Sequence, residues 1–175
     1  MSMTGLIWVA RDYMNCSGCR LCEVACSLRH EGKIWPEASR IRVFMHVPTL
    51  EIPHFCAQCD NPPCVPSCPT NALSISNKTG AILVDAEKCV GCGVCIDACP
   101  GRVPFMHPAT KKAVICDLCD GEPQCSKVCQ EARYNALWTV RKSPGPSYKL
   151  YAKLPEKVTE ELARRMYRDF AERLV

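Results

Sequence analysis

Cysteine groups at fixed spacing dominate the chemistry of this 175-residue chain. The clearest group lies between Cys89 and Pro100 and has the spacing C-x2-C-x2-C-x3-C-P. Two residues between successive cysteines let a tight loop wrap three corners of a [4Fe–4S] cube, and Gly91 and Gly93 let backbone N–H groups approach the sulfur atoms. The fourth cysteine of such a run binds a different cluster. This group therefore predicts at least one more group of the same kind. Its cysteines are Cys89, Cys92, Cys95 and Cys99.

The chain contains three further groups of four cysteines, which brings the total to sixteen. The first group repeats the same spacing, whereas the second is C-x2-C-x4-C-x3-C and the fourth is C-x2-C-x5-C-x3-C. Their members are Cys16, Cys19, Cys22 and Cys26 (first), Cys56, Cys59, Cys64 and Cys68 (second), and Cys116, Cys119, Cys125 and Cys129 (fourth).

Disulfide bonds and structural zinc are the alternative uses of so many cysteines. A disulfide scaffold requires secretion, and the N-terminal residues lack the basic start and apolar stretch of a signal peptide. Zinc takes four ligands from two C-x2-C pairs, whereas each group here already holds four cysteines in one short run. The spacing therefore favours iron–sulfur clusters over both.

Charge and hydropathy exclude two classes of partner. No apolar run approaches the roughly 20 residues that span a bilayer, so we expect no membrane span. The formal net charge is +4, with the cysteines counted as neutral thiols. Sixteen thiolates and four cluster cores of about +2 each would change it to about −4. The apparent basicity is therefore no argument for nucleic-acid binding.

Hydrophobic patterns predict short elements around the cysteine groups. We expect strands at 6–10, 41–47, 72–76, 81–85, 112–115 and 136–140, with a Gly-containing turn joining the third and fourth into a hairpin. Residues 23–28 should form a helix, Pro48 and Pro53 should break the second strand, and residues 101–108 should be a loop.

The C-terminal residues predict an amphipathic helix after a Pro/Gly-rich break at 143–147. Its apolar face either covers the module of the first and fourth groups or docks onto a partner protein, and docking is the favoured interpretation. The apolar residues recur at four-residue steps: Val158, Leu162, Met166, Phe170 and Leu174.

The second and fourth groups resemble motifs of a known family, the four-cluster iron–sulfur subunits of dimethyl-sulfoxide-reductase-type oxidoreductases. The segment CAQCDNPPCVPSCPT, from Cys56 to Thr70, is similar to the second motif of that family. Cys116-Asp117-Leu118-Cys119 and the preceding Pro108-Ala109-Thr110 are similar to its fourth motif. The resemblance covers roughly residues 12–140, and the four variant spacings occur in the order of the family.

This resemblance implies crossed ligation, in which the first group pairs with the fourth and the second with the third. Four ligand sets follow, each for one [4Fe–4S] cluster. Gln130 follows Cys129 where the family has proline, which alters the shape of the chain but removes no ligand. Set I is Cys16, Cys19, Cys22 and Cys129; set II is Cys116, Cys119, Cys125 and Cys26; set III is Cys56, Cys59, Cys64 and Cys99; set IV is Cys89, Cys92, Cys95 and Cys68.

The order of the groups predicts an α+β fold of two bacterial-ferredoxin-like (βαβ-type) two-cluster modules, one inserted in the other, followed by the C-terminal amphipathic helix. The outer module would comprise residues 1–55 and 101–142, and the inner module residues 56–100. Residues 143–175 would form a linker and the helix.

A narrower resemblance concerns the catalytic partner. The segment from Cys16 to Gly32, followed by Ser39-Arg40-Ile41-Arg42-Val43, is similar to small subunits that accompany tungsten enzymes of the aldehyde:ferredoxin oxidoreductase family. These include the electron-transfer subunit of class II benzoyl-CoA reductase. Electron carriers of carbon monoxide dehydrogenases and hydrogenases look alike at this level and remain alternatives.

The predicted function is one-electron transfer between a large catalytic subunit, of the tungsten- or molybdenum-pterin type, and a ferredoxin or another electron carrier. Four complete cysteine sets leave no open iron for catalysis, so we expect no enzyme activity and no small-molecule substrate. A free-standing polyferredoxin is the alternative. The insertion at 27–55 and the terminal helix favour a fixed subunit.

Other residue types receive structural interpretations. Histidines 30, 46, 54 and 107 are expected at the surface or in loops, because the cysteine sets already supply every ligand. Tryptophans 8, 35 and 138 are expected to fill cores or interfaces rather than carry electrons. Thiolate-bound clusters persist where thiols stay reduced, which predicts a cytoplasmic location.

Overall fold

The computed structural model describes residues 6–142 and 151–173, with eight short strands and four α-helices in those ranges. The strands are β1 Ile7–Arg11, β2 Arg42–Val47, β3 Leu50–His54, β4 Leu73–Ile75, β5 Ile82–Val84, β6 Phe105–Met106, β7 Ala113–Val114 and β8 Leu137–Arg141. The helices are α1 Leu21–Glu31, α2 Val94–Ala98, α3 Gln124–Glu131 and α4 Pro155–Tyr167. The 3₁₀ turns are Pro36–Ala38, Leu118–Gly121 and Arg168–Arg173.

The two ends of the cysteine-rich region meet in one antiparallel sheet. Strand β1 pairs with β8, with Ile7 opposite Arg141 and Arg11 opposite Leu137. The predicted strands at 6–10 and 136–140 are thereby confirmed. Val9 is fully buried and Leu137 is 2% exposed, and both belong to the hydrophobic core that also holds cysteines of α1 and α3. The sheet thus brings the first and fourth groups together.

The insertion between the first two groups forms a hairpin of β2 and β3. One expectation was wrong here. Pro53 does not break the structure but lies inside β3 opposite Val43, which a strand whose other edge is free of ladder bonds can accommodate. Met45 is 57% exposed although Val43 and Val47 are buried, because the register shifts between Met45 and Val47.

Two smaller hairpins surround the second and third groups. Strands β4 and β5 pair with Leu73 opposite Val84, which confirms the predicted hairpin. The predicted loop at 101–108 was wrong, because Phe105–Met106 forms β6 and pairs with β7. Prolines flank this segment and each strand has only two residues, so the sequence pattern did not indicate the pairing. Ile82 and Ala113 lie in the hydrophobic core of this half.

Helix α4 packs against the insertion hairpin of its own chain. Ala163 is fully buried and Val158 is 5% exposed, and the helix shares a hydrophobic cluster with Val47 and Leu50. The part of the apolar face around Val158 is therefore covered within the chain, as in the first of the two alternatives, whereas Met166 is 40% exposed. Docking of the exposed part onto a partner protein stays a prediction. The linker at 143–150 and Leu174 lie outside the described residues, as does the side chain of Phe170.

Across the described ranges, the helices are either too short or too polar to span a lipid bilayer.

Candidate iron–sulfur sites

All sixteen cysteines lie in the described part of the chain, and all of them are free thiols. Eleven of them lie in or against two hydrophobic cores. One core contains cysteines of the first and fourth groups, and the other contains cysteines of the second and third. Sulfur atoms that are distant in sequence are therefore neighbours, and no disulfide bond competes for them.

Set I surrounds a cavity between α1 and α3. Cys16 and Cys19 come from the loop before α1, Cys22 from the first turn of α1, and Cys129 from α3. All four line the cavity. Burial, with smaller contributions from Cys19 and Cys129, raises the pKa of the Cys16 thiol. The loop and two packed helices thus present four thiols to one space.

Set II joins Cys26 of α1 to the fourth group. Burial and the nearby Cys26 raise the pKa of Cys119 to about 11, and burial, Cys119 and Cys26 raise the pKa of Cys125 well above its usual value. The backbone N–H of Arg40 donates to Cys26 Sγ at 3.2 Å. A bond of this kind favours negative charge on sulfur, so it raises the reduction potential of a bound cluster.

Set III combines the second group with the last cysteine of the third. Burial raises the pKa of Cys56 to about 12, with contributions from Cys59, Cys64 and Cys99. Burial and then Cys99 likewise raise the pKa of Cys64 to about 11. Cys99 follows α2 directly, so the short helix carries it away from the other cysteines of its own group.

Set IV lines a second cavity, whose walls include Cys68, Cys89, Cys92 and Cys95. Two backbone donors point at its sulfur atoms: the Ala72 N–H is 3.3 Å from Cys68 Sγ, and the Ala113 N–H is 3.4 Å from Cys89 Sγ. The β6–β7 hairpin, which sequence reasoning missed, supplies the second of these.

Three observations indicate that the predicted sets follow one another in a series. Cys22 of set I raises the pKa of Cys125 in set II, after burial and the other thiols of that set. Gln58 is fully buried and donates its amide to the Cys116 carbonyl at 3.1 Å, which joins the loop of set III to set II. Cys95 of set IV is among the thiols that raise the pKa of Cys64 in set III.

Exposure differs along this series. Cys19 in set I and Cys92 in set IV are exposed, whereas every cysteine of sets II and III is buried or only partly accessible. Each end of the series therefore has one exposed cysteine, whereas the cysteines of the two middle sets are at most partly accessible.

The donor atoms fit iron–sulfur clusters. Burial disfavours thiolate anions and raises the pKa of most of these thiols, so four adjacent thiolates need a multiply charged core to hold them together. Each set supplies four sulfur donors from short loops, which is the number that a [4Fe–4S] cluster requires.

His30 is a contributor that the sequence reasoning missed. Its side chain is 9% exposed, and its Nε2 is 3.1 Å from an Asp117 carboxylate oxygen. Nδ1 is 2.8 Å from the Cys26 carbonyl oxygen and 3.7 Å from Cys26 Sγ. Because both ring nitrogens face acceptors, the ring must donate from both, which is the charged form. The expectation of a surface residue was wrong, and only the spacing Cys26–x3–His30 on one helix face could have indicated the contact.

The Asp117 carboxylate links this histidine to the fourth group, because it also accepts the backbone N–H of Cys119 at 2.9 Å. Burial opposes charge on His30, but the bonds to Asp117 and Cys26 raise its pKa to about 9. Burial likewise opposes charge on Asp117, yet the bond to His30 lowers the pKa of Asp117 to about 2.

Two other histidines are also buried: His54 lies in β3, against expectation, whereas His107 lies in the loop between β6 and β7, as one of the two expectations allowed. His54 is 8% exposed and contacts the Gly101 carbonyl at 2.8 Å, and burial lowers its pKa to about 4. His107 is 8% exposed; it accepts the N–H groups of Ala109 and Thr110 at Nδ1 and donates to Glu31 from Nε2. Only His46 is clearly accessible, with 35% of its side chain exposed.

The tryptophans pack as expected. Trp8 lies 5.1 Å from Tyr151 between ring centroids, and Trp35 meets His107 edge to face at 5.2 Å. Trp138 lines a groove between β8 and α4.

Comparisons with known proteins agree with this geometry. Residues 47–136 match the model of a 4Fe-4S dicluster domain, and residues 13–29 match a 4Fe-4S binding domain. The polyferredoxin-like subunit of aliphatic sulfonate oxidoreductase from Pyrococcus furiosus is 52% identical over 161 residues, covering 92% of this chain and 93% of that one. Protein NrfC of Escherichia coli K12 is 39% identical over 119 residues, covering 63% of this chain and 52% of NrfC.

Among solved structures, the active site complex BamBC of benzoyl coenzyme A reductase with zinc has a TM-score of 0.46 and 27% identity. The match covers 95% of each chain.

Proposed function

The chain belongs to the 4Fe-4S dicluster family, and from this premise we propose that it conducts single electrons through four [4Fe–4S] clusters in the order of sets I, II, III and IV. It is a non-catalytic iron–sulfur electron-transfer subunit of a larger oxidoreductase complex. When bound, the clusters supply reversible one-electron chemistry with little change of geometry. The chain's own residues hold them, space them and adjust their potentials.

The proposed ligands are the four crossed sets. The grouping of thiols supports this assignment, because thiols of the same proposed set are among the groups that raise the pKa of Cys16, Cys56, Cys119 and Cys125. Cys22 of the adjoining set is a further influence on Cys125. The cavities lined by sets I and IV support it independently.

The proposed domain arrangement is an inner module, residues 56–100, inserted into an outer module of residues 1–55 and 101–142. Pairing of β1 with β8 supports the outer module, because it closes the chain around the segment between them. The β4–β5 hairpin between the second and third groups supports the inner one. Residues 143–175 remain a proposed linker and helix.

The observation that carries the proposed order is the exposure of one cysteine at each end of the series, Cys19 and Cys92. Electron transfer between proteins requires a short path from each partner to a cluster, and each end set provides one through its exposed cysteine. The middle sets would then exchange electrons only with their neighbours.

The proposed partner is a large catalytic subunit of the tungsten- or molybdenum-pterin type, with a ferredoxin or similar carrier at the other end. The likeness of residues 16–43 to small subunits of tungsten enzymes supports this choice. An aliphatic sulfonate is the first substrate to test for the partner, because the relative that matches 92% of this chain is named for that oxidoreductase. A cytoplasmic location is proposed because thiolate clusters persist in reducing compartments.

The test is anaerobic purification of the native complex. We expect about sixteen iron and sixteen sulfide per chain, a co-purifying large subunit, and tungsten or molybdenum in it. Adding an aliphatic sulfonate should bleach the visible absorbance of the clusters as they are reduced. Zinc in place of iron would contradict the cluster assignment, and a monomer without any partner would favour the free-standing polyferredoxin.

A further inference from the structure

Arg11, the last residue of β1, is a buried cation with no carboxylate to balance it. It is 3% exposed, and within residues 6–142 and 151–173 none of the ion pairs includes it. Its Nη1 and Nη2 donate to the Phe55 carbonyl at 3.4 Å, and Nη1 also reaches the Pro53 carbonyl at 3.5 Å. The Nε atom has no partner.

Aromatic rings complete the surroundings of this guanidinium. It lies 3.7 Å from the centroid of Phe55 and 4.7 Å from that of Tyr151. Carbonyl groups and ring faces offer only partial negative charge, whereas a guanidinium stays protonated in proteins. A buried charge without an opposite charge is strongly unfavourable, so this environment requires an anion that the protein side chains described here do not provide.

Two thiols whose charge acts on Arg11, those of Cys56 and Cys116, become fully anionic on cluster binding. Burial lowers the pKa of Arg11. Tyr13 and Tyr151 oppose this shift most strongly, and the thiols of Cys56 and Cys116 oppose it next. The guanidinium of Arg11 donates to the carbonyl of Phe55, which is the residue directly before Cys56. The Gln58 amide of the same loop donates to the Cys116 carbonyl. Arg11 therefore lies where set II meets set III.

We propose that Arg11 is the counter-cation of the junction between sets II and III and that its charge raises the reduction potential of the clusters bound there. A [4Fe–4S] core of about +2 with four thiolates carries a net charge of about −2, and reduction adds one more negative charge. The reduced form is therefore attracted more strongly than the oxidised form. The proposal rests on the proposed function, because it takes the crossed ligand sets as given.

The experiment is an anaerobic redox titration of the holoprotein, followed by electron paramagnetic resonance, on the wild type and three variants. Arg11→Met removes the charge and keeps the approximate volume, and Arg11→Lys keeps the charge. Arg141→Met removes an exposed arginine of the same β1–β8 sheet and is the matched control. Wild-type protein is the reference, and iron is measured in every sample.

With Arg11→Met, we expect at least one cluster to need a tenfold higher ratio of reductant to oxidant, which for a one-electron couple is a shift of about 59 mV to lower potential. Arg11→Lys should stay close to wild type, and Arg141→Met should not shift, because solvent screens its charge. Unchanged potentials in Arg11→Met with full iron would overturn the proposal, as would an equal fall in Arg11→Lys or in Arg141→Met.

Iron content separates the possible failures. Wild-type protein without about sixteen iron would reject the proposed function itself, whatever the variants do. If Arg11→Met loses iron, full iron and near-native potentials in Arg11→Lys support the role of the charge. Loss of iron in both variants overturns it in favour of a packing role.

Discussion

The two middle ligand sets and the two end sets differ in what surrounds them. Sets II and III have no exposed cysteine and lie beside the buried Arg11 and the His30 side chain, which is 9% exposed and pairs with the partly exposed Asp117. Sets I and IV each expose one cysteine, Cys19 and Cys92. A buried charge acts in low dielectric and an exposed one is screened. The protein can therefore adjust the potentials of the middle sets strongly, whereas the end sets are built for contact with other molecules.

The largest expected effect comes from removing a cysteine in the middle. Cys119→Ser should abolish the cluster of set II, because Cys119 is a predicted ligand and is buried within the 3₁₀ turn Leu118–Gly121. We expect the loss of about four iron per chain and a destabilised β1–β8 sheet, measured by iron analysis and thermal unfolding.

The matched variant is Cys92→Ser at the exposed end of set IV. It should lose at most one cluster and leave the thermal unfolding of the rest unchanged. Equal losses of stability in the two variants would contradict the distinction between middle and end sets.

A second effect concerns the loop of set IV and compares two glycines in it. A Cβ at Gly91 would clash with the Lys111 carbonyl oxygen, which belongs to the backbone of the β6–β7 turn and cannot move aside. A Cβ at Gly93 meets nothing within 4 Å. Both residues have positive φ, so alanine at either position costs about 1–2 kcal/mol of backbone strain.

Gly91→Ala should therefore prevent cluster binding in set IV, whereas Gly93→Ala should retain it with slightly lower stability. Iron content and the spin count of the reduced protein measure the difference. Full iron in Gly91→Ala would show that the contact between this loop and the β6–β7 turn is not needed to form the site.

Metal removal tests the same comparison without any mutation. A chelator with a mild oxidant should extract iron in two phases, since the end sets open to solvent through small local motions and the middle sets do not. About half of the iron should leave in the fast phase, because two of the four sets have an exposed cysteine. Spectra recorded during extraction would identify the remaining clusters, and a single phase would reject the difference in accessibility.

Short-range chemistry explains why so much of this protein was predictable from its sequence. Cysteine spacing indicated the groups. The two short strand patterns around the Gly-containing turn and the pattern of 136–140 indicated strands that the structure contains. Pairings that depend on distant segments were missed. The β6–β7 hairpin has only two residues in each strand, and α4 covers a hairpin more than a hundred residues away in sequence.

Buried ions were the other omission, for a related reason. Neither Arg11 nor His30 belongs to a motif, and a charged residue in a sequence is normally expected at the surface. Their environment depends on the β1–β8 pairing and on the packing of α1 against the fourth group, which are tertiary features. The cluster environment was therefore less predictable than the cluster ligands.

The smallest expected effect concerns the His30–Asp117 pair beside set II. His30→Ala removes a buried donor and leaves the Asp117 carboxylate with only the Cys119 N–H. Because Asp117 is 31% exposed and water can partly replace the histidine, we expect a loss of about 1–3 kcal/mol in the free energy of unfolding. Anaerobic urea denaturation measures it.

The control for His30→Ala is His46→Ala, because His46 is 35% exposed and its Glu156 partner is 61% exposed. His46→Ala should change the free energy of unfolding by less than about 0.5 kcal/mol. Equal effects of the two substitutions would show that the buried pair does not join the first and fourth groups.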